Sequence, residues 1–185
     1  MEPKLPPGQR PTRKFPLFTV DPSEPLERER FELAVTGWVE RRVTLGWEDL
    51  RALAAEELEH DFHCVTGWTR SETRWSGVPV ARVLELAGPK PEAGWALAWS
   101  RGGYSASLPL ADLTAPGVLL AWELDGAPLT HDHGGPVRLV VPHLYGWKSV
   151  KWVKKIQLSD REVEGYWEMR GYHHRGDPWR EERYG

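Results

Sequence analysis

A chain of 185 residues, 40% hydrophobic and 28% charged, has the size and composition of one globular domain with a substantial core. Its net charge of -3 excludes a general nucleic-acid or membrane-surface binder, so any anion site has to be local. The single cysteine, Cys64, excludes an internal disulfide; no apolar leader, twin arginine or membrane-length run is visible, and the expected compartment is the cytoplasm.

Residues 1–26 carry Pro3, Pro6, Pro7, Pro11, Pro16, Pro22 and Pro25, which block a regular helix. They read as an extended arm packed on a domain that spans 27–185. Residues 30–39 alternate Phe31, Leu33 and Val35 with polar neighbours and predict a strand. Residues 45–54 place Trp47, Leu50, Leu53 and Ala54 at helical spacing. Residues 58–65 predict a short strand running into a loop at Cys64. Residues 77–88 predict a short helix, with Pro79 near its start and Gly88 as its stop. Residues 94–100 and 104–110 predict two strands about the turn Arg101-Gly102-Gly103. Residues 117–124 and 137–142 are strand-length apolar runs. Residues 151–159 predict an outer strand. The tail, 160–185, has no period but carries Tyr166, Trp167, Tyr172 and Trp179, and is expected to wrap on the body. Strands outnumber helices and do not alternate with them. The class is α+β: mixed, mainly antiparallel sheets with a few short helices.

Two stretches carry candidate chemistry. In "HDFHCVTGW" (60–68), Cys64 is flanked by His60, His63, Arg70 and Arg74. A lone cysteine is most often a small buried residue, whereas a cationic setting lowers a thiol's pKa. A Cys–His nucleophile and a zinc site with the histidines of "HDH" (131–133) are open alternatives. His60 and His63, three apart in a strand, point to opposite faces and weaken zinc. No nucleophile-elbow pattern supports a hydrolase. The second stretch, from His133 to Ser159, holds no acidic residue but contains Arg138, Lys148, Lys151, Lys154 and Lys155. Lys154 and Lys155 read as a solvated edge. Arg138 offers a two-point fork for an oxyanion. Backbone N–H groups near Gly146 and Ser149, with a lysine beside them, suit a phosphate, and the paired Gly134 and Gly135 allow close approach to a ligand. Neither GxGxxG nor GxxxxGK is present. The eleven tryptophans read mainly as core and loop staples, with a few as walls of a pocket.

These stretches together resemble the sulfite oxidase family of molybdopterin enzymes. The segments concerned are "DFHCVTGWTRSETRWSGVPVARVLELAG", "GYSASLPLADL", "HDHGGPVRLVVPHLYGWKSVKW" and the tail "GYWEMRGYH", which is similar to that of the short, single-domain bacterial branch. The resemblance implies a sulfite-oxidase-type molybdopterin-binding fold and a molybdenum–molybdopterin cofactor. It implies an oxidoreductase that moves an oxygen atom to or from a small anionic or S/N-oxide substrate. A sulfoxide or N-oxide reductase, and a molybdopterin-binding protein without turnover, are the alternatives. It makes Cys64 the thiolate ligand to the metal. It matches His133 and Arg138 to residues near the cofactor and the substrate oxyanion, and Ser149, Val150 and Lys151 to the phosphate anchor. Tyr104 matches a tyrosine facing the metal, Phe62 and His63 line the approach, and Trp99 or Ser100 touches the pterin. Where animal and plant sulfite oxidases carry a substrate arginine, five residues after the cysteine, this chain has Thr69, with Arg70 beside it. The sequence carries no haem domain, so an external redox partner, a cytochrome or other electron carrier, is implied besides the small-molecule substrate, with no nucleic-acid or membrane partner.

Overall fold

The structure, a computed structural model, describes residues 4–185; Pro3 of the proline-rich arm lies outside them. Two sheets form the body. The first is built from β1 (Arg10–Pro11), β4 (Glu56–Cys64), β5 (Trp68–Pro79), β8 (Leu119–Leu124), β9 (Ala127–Pro128) and β10 (Arg138–Val140). Its order is β1-β5-β8-β10, with β4 on β5 and β9 on β8. The second contains β2 (Glu32–Gly37), β3 (Val43–Gly46), β6 (Trp95–Ser100), β7 (Ser105–Pro109) and β11 (Val153–Ser159), in the order β3-β2-β11-β6-β7. Helices α1 (Trp47–Ala52), α2 (Val80–Ala87) and α3 (Leu110–Leu113) are short connectors.

Local sequence accounts for most of these elements. In β2, Leu33 and Val35 are buried while Glu32 is exposed, the period of two that a one-sided strand needs. In α2, Val80, Val83, Leu84 and Ala87 face the core. Gly88 ends it in the left-handed region (φ 66°), its N–H donating back to Leu84 and Glu85. In β8, Leu119 and Ala121 pack into a small cluster with Phe62 and Trp75, while Leu120 and Trp122 face the main core. That strand is covered on both faces, so its sequence is a continuous apolar run.

One expectation is corrected, and one strand carries no local signal. The run 151–159 is not an outer strand, because β11 lies between β2, to which it is parallel, and β6, to which it is antiparallel. Val153, Ile156 and Leu158 are buried, whereas Lys154 is exposed and Lys155 lies 4.7 Å over the Trp99 ring. These lysines decorate the solvent face of a central strand. The segment 68–79, which shows no apolar period, is the longest strand, β5, at 12 residues. Its inward positions are Thr69, Thr73, Trp75 and Gly77, with Glu72 and Arg74 turned out. Threonines carry the alternation, and pairing with β1, β4 and β8 stabilises it.

The tail wraps the body. Tyr166 N–H donates to Ser105 O (2.8 Å), Tyr145 N–H donates to Gly176 O (2.8 Å), and Arg175 pairs with Asp112. The arm is fastened by Arg10 N–H to Gly67 O (3.0 Å) and Thr12 N–H to Thr69 O (2.8 Å).

At Gly77 an added Cβ would stand 2.2 Å from Leu120 O, a backbone atom with no freedom to move, whereas at Gly94 the nearest atom is 3.9 Å away. Gly77→Ala is therefore expected to cost more than about 2 kcal/mol in a denaturant titration, and Gly94→Ala less than about 1.

Candidate active site

A cleft opens where four pieces of chain meet: the tip of the β4–β5 hairpin, the arm, the segment 145–152, and the tail. The hairpin contributes Phe62, Cys64 and Trp68; the arm Phe15, Phe18 and Asp21; the tail Trp167 and Tyr172. His133, Arg138, Trp147, Ser149 and Lys151 form the remaining wall. Cys64 ends β4, where Gly67 N–H closes the turn on Cys64 O (3.0 Å), and its thiol is half-buried and free. Thr66 Oγ1 lies 3.2 Å from the sulfur.

Arg138 is 2% exposed. Its guanidinium donates to His133 O (2.9 Å) and Ser149 O (2.9 Å) and lies 5.2 Å from the Trp75 ring and 5.7 Å from Phe62. Burial pushes it down to about 9. Lys151 Nζ donates to Asp132 O (2.8 Å), Phe18 O (3.1 Å) and Thr19 Oγ1 (3.2 Å). Burial, and then the charge of Arg138, bring it down to about 8. Every acceptor these two cations meet is neutral, and among the described residues neither makes an ion pair with a carboxylate. Two like charges held in one half-dry cleft are unfavourable until an anion joins them. His133, beside them, is held below its ordinary pKa by burial and by both charges, and is neutral.

The histidine next to Cys64 does other work. His63 is buried, and its Nδ1 lies 2.8 Å from Thr69 Oγ1. Gln9 Nε2 donates to Cys64 O (3.0 Å), which fixes that amide so that Oε1 accepts from Thr69 Oγ1 (3.0 Å). The one hydroxyl proton of Thr69 is then used, so His63 Nδ1 has to donate to it. Burial takes His63 down to about 4, and it is neutral at pH 7. Thr69 and His63 brace the hairpin and do not line the cleft. His60 Nδ1 lies 2.8 Å from Asp61 O. Neither histidine of the hairpin is presented to the thiol as a base. Among the described residues no three His, Cys, Asp or Glu side chains converge as zinc ligands.

The structure thus brings together Phe62, Cys64, Tyr104, His133, Arg138, Ser149 and Lys151, and sets other candidates apart. Arg70 pairs with Asp125 and lies 5.5 Å over the Phe15 ring, outside the cleft wall. Val150 is wholly buried in the main core. Trp99 lies in β6 beneath Lys155, and Ser100 Oγ accepts from Gly102 N–H (3.2 Å). Gly134 and Gly135 serve chain crossing, since a Cβ on Gly134 would meet Lys151 Cβ at 2.9 Å and one on Gly135 would meet Leu129 O at 2.4 Å. Lys148 is fully buried and points away from the cleft.

Tyr104 reaches the cleft, but its hydroxyl is committed: it donates to Trp147 O (2.6 Å) and burial holds its pKa well above the ordinary value. The available hydroxyl is that of Tyr172, which lines the cleft with no hydrogen-bond partner among the described residues. Its ring meets Trp147 edge-on at 5.2 Å and Trp167 at 4.7 Å. Burial, Tyr184 and Cys64 raise its pKa, in that order. The local signal is Gly171, whose positive φ (85°) ends the turn Glu168–Arg170 and swings the next residue back onto the body.

The charges give a pH prediction with two opposite arms. Lys151 has a folded-state pKa below its unfolded one, so above about pH 8 the unfolded chain binds more protons and the stability of the ligand-free protein rises with pH. Sulfate affinity should fall over the same window as Lys151 loses its proton. Calorimetric titration and denaturant unfolding between pH 7 and about 9.5 check this; trends of the same sign would contradict it.

Comparison with known proteins places the chain in a family. Residues 20–167 match the family described as the oxidoreductase molybdopterin binding domain. The chain is 42% identical over 182 residues to the uncharacterized oxidoreductase YuiH of Bacillus subtilis, covering 98% of this chain and 92% of that one. It is 38% identical over 112 residues to the mitochondrial sulfite oxidase of Macaca fascicularis, covering 55% of this chain and 21% of that one. It is 33% identical over 153 residues to the protein-methionine-sulfoxide reductase catalytic subunit MsrP of Gluconobacter oxydans, covering 73% and 49%. The fold matches the sulfane dehydrogenase SoxCD of Paracoccus pantotrophus with a TM-score of 0.69 at 27% identity, over 76% of this chain and 41% of that one. The chain therefore spans YuiH almost entirely, but half or less of the other three. The α+β architecture is the sulfite-oxidase-type fold, the cofactor is molybdenum–molybdopterin, and the chain belongs to the sulfite-oxidase-related family of molybdopterin-binding oxidoreductases.

Proposed function

We propose that this protein is an oxygen-atom-transfer enzyme in which Cys64 is the protein's ligand to molybdenum and Arg138, Lys151, Ser149 and His133 hold the anionic part of the cofactor. The observation that carries this is the pairing, in one cleft, of a free thiol with two cations that have no ion-pair partner among the described residues. The donor set fits the group: a soft sulfur suits a soft metal site, and Arg138 and Lys151 together complement a phosphate. When bound, the molybdenum centre supplies two-electron exchange of an oxygen atom with a small substrate. The chain's own part is to exclude water with Phe15, Phe62, Trp68, Trp147 and Trp167, and to hold a proton at the Tyr172 hydroxyl within reach of the substrate oxygen. Phe62 packs against Arg138 and Phe15, closing the cleft beneath the arm. In this reading the arm, 1–26, and the body, 27–185, work as one unit.

The direction is reductive. Arg70 is engaged by Asp125 and Thr69 is fully buried, so neither is free to grip sulfite. An uncharged S-oxide or N-oxide suits the aromatic wall better. It takes two electrons and two protons and leaves as the sulfide or amine plus water. The electrons come from an external carrier; among the described residues no helix is long and apolar enough to cross a membrane.

A dye-coupled screen tests this: reduced viologen should be oxidised by aryl methyl sulfoxides or N-oxides, with sulfite oxidation at least about tenfold poorer in kcat/KM. Preference for sulfite would reverse the assigned direction. Cys64→Ser should abolish turnover with the melting temperature within about 4 °C of the parent. Lys151→Ala should lower molybdenum occupancy more than turnover per bound metal. Tyr172→Phe should lower kcat by about 10²-fold, and Tyr104→Phe should act on stability and not on kcat.

A further inference from the structure

The buried pair Lys148–Glu168 lies behind the cleft and takes no part in the site as described. Both side chains are wholly buried. Lys148 has three ammonium protons and three acceptors: the Glu168 carboxylate, Ser107 O (2.6 Å) in β7, and His174 O. Its demand is met in full. Two of those acceptors, Glu168 and His174, bracket Tyr172 in the tail. On the other side, Lys148 is bonded in sequence to Trp147 and Ser149, both on the cleft wall. Trp147 is held from a second direction by the Tyr104 hydroxyl on its carbonyl, and its ring carries the edge of Tyr172.

A buried ion pair is a poor source of stability, since an apolar pair of similar volume often does as well or better. What it supplies is direction: three hydrogen bonds that admit one placement of the tail. We propose that Lys148 and Glu168 are positioning residues that clasp the tail to segment 146–149 and thereby set the Tyr172 hydroxyl against the reacting centre. This rests on the reading that Tyr172 meets the substrate.

The test is the double substitution Lys148→Met with Glu168→Met in the full chain, alone and combined with Tyr172→Phe. The double variant should fold, melt within about 4 °C of the parent and keep its molybdenum content. Its kcat per bound metal should fall about tenfold at little-changed KM. Backbone amide exchange at Gly171–His173 should quicken by about tenfold or more, a readout independent of turnover. With Tyr172→Phe already present, the same pair of substitutions should change kcat by less than about twofold, because the two act through one group. Parent-like kcat or parent-like exchange in the double variant would overturn the proposal. So would full additivity with Tyr172→Phe, loss of metal at unchanged turnover per metal, or a double variant that does not fold, which would make the pair a requirement for folding. A parent without turnover on any oxide would refute the proposed function, and the exchange comparison would still decide the clasp.

Discussion

Two positive charges that the protein does not neutralise organise this molecule. Arg138 and Lys151 lie in one half-dry cleft, their protons directed to backbone carbonyls and one threonine hydroxyl. Burying a cation without an anion is unfavourable, and the surroundings show how the chain tolerates it. Trp75 and Phe62 lie beside the Arg138 guanidinium. The arm brings Phe18 O and Thr19 to Lys151, and Asp21 to the Tyr104 N–H. Asp132 and Asp21 lie near enough to offset part of the burial cost without pairing. In the proposed function the charge that would complete the site is the cofactor's.

The thiol is held by a separate device. Gln9, from the arm, grips the Cys64 carbonyl and Thr69 at once, and His63 closes the chain of hydrogen bonds behind them. The arm thus reaches both ends of the cleft, although only part of it falls within the matched region 20–167. The sulfur side and the cation side are built by different strands and fastened by the same segment. The tail completes the wall in a third way, through the buried Lys148 together with the Tyr166 N–H on Ser105 O and the Arg175–Asp112 pair.

Much of this was legible in the sequence, and what was not has identifiable causes. The alternation of Leu33 and Val35, the helix from Val80 to Ala87 with its glycine stop, and the hairpin about Gly102 are local signals, and local signals survive into the fold. Strand β5 escaped because Thr69 and Thr73 fill its inward positions and two of its three partners, β1 and β8, are distant in sequence. The central place of β11 is likewise a matter of pairing, and lysines on its solvent face imitate an edge. Within the site, Cys64, Arg138 and Lys151 stood out through residue type and the acid-free stretch around them. Tyr104 and Tyr172 both line the cleft and differ in that only the Tyr104 hydroxyl has a partner among the described residues, Trp147 O, which no local pattern encodes. Arg70 and Thr69 are of the same kind: their partners, Asp125 and Gln9, are 55 and 60 residues away.

The central claim is that one cleft joins a sulfur ligand to an anion anchor. Diffraction from crystals of the protein produced in a molybdopterin-competent host, recorded on both sides of the molybdenum absorption edge, tests it most directly. The account predicts one anomalous peak per chain in contact with Cys64 Sγ, with phosphate density against Lys151 and Arg138. A peak away from Cys64, or phosphate density away from both cations, would contradict it.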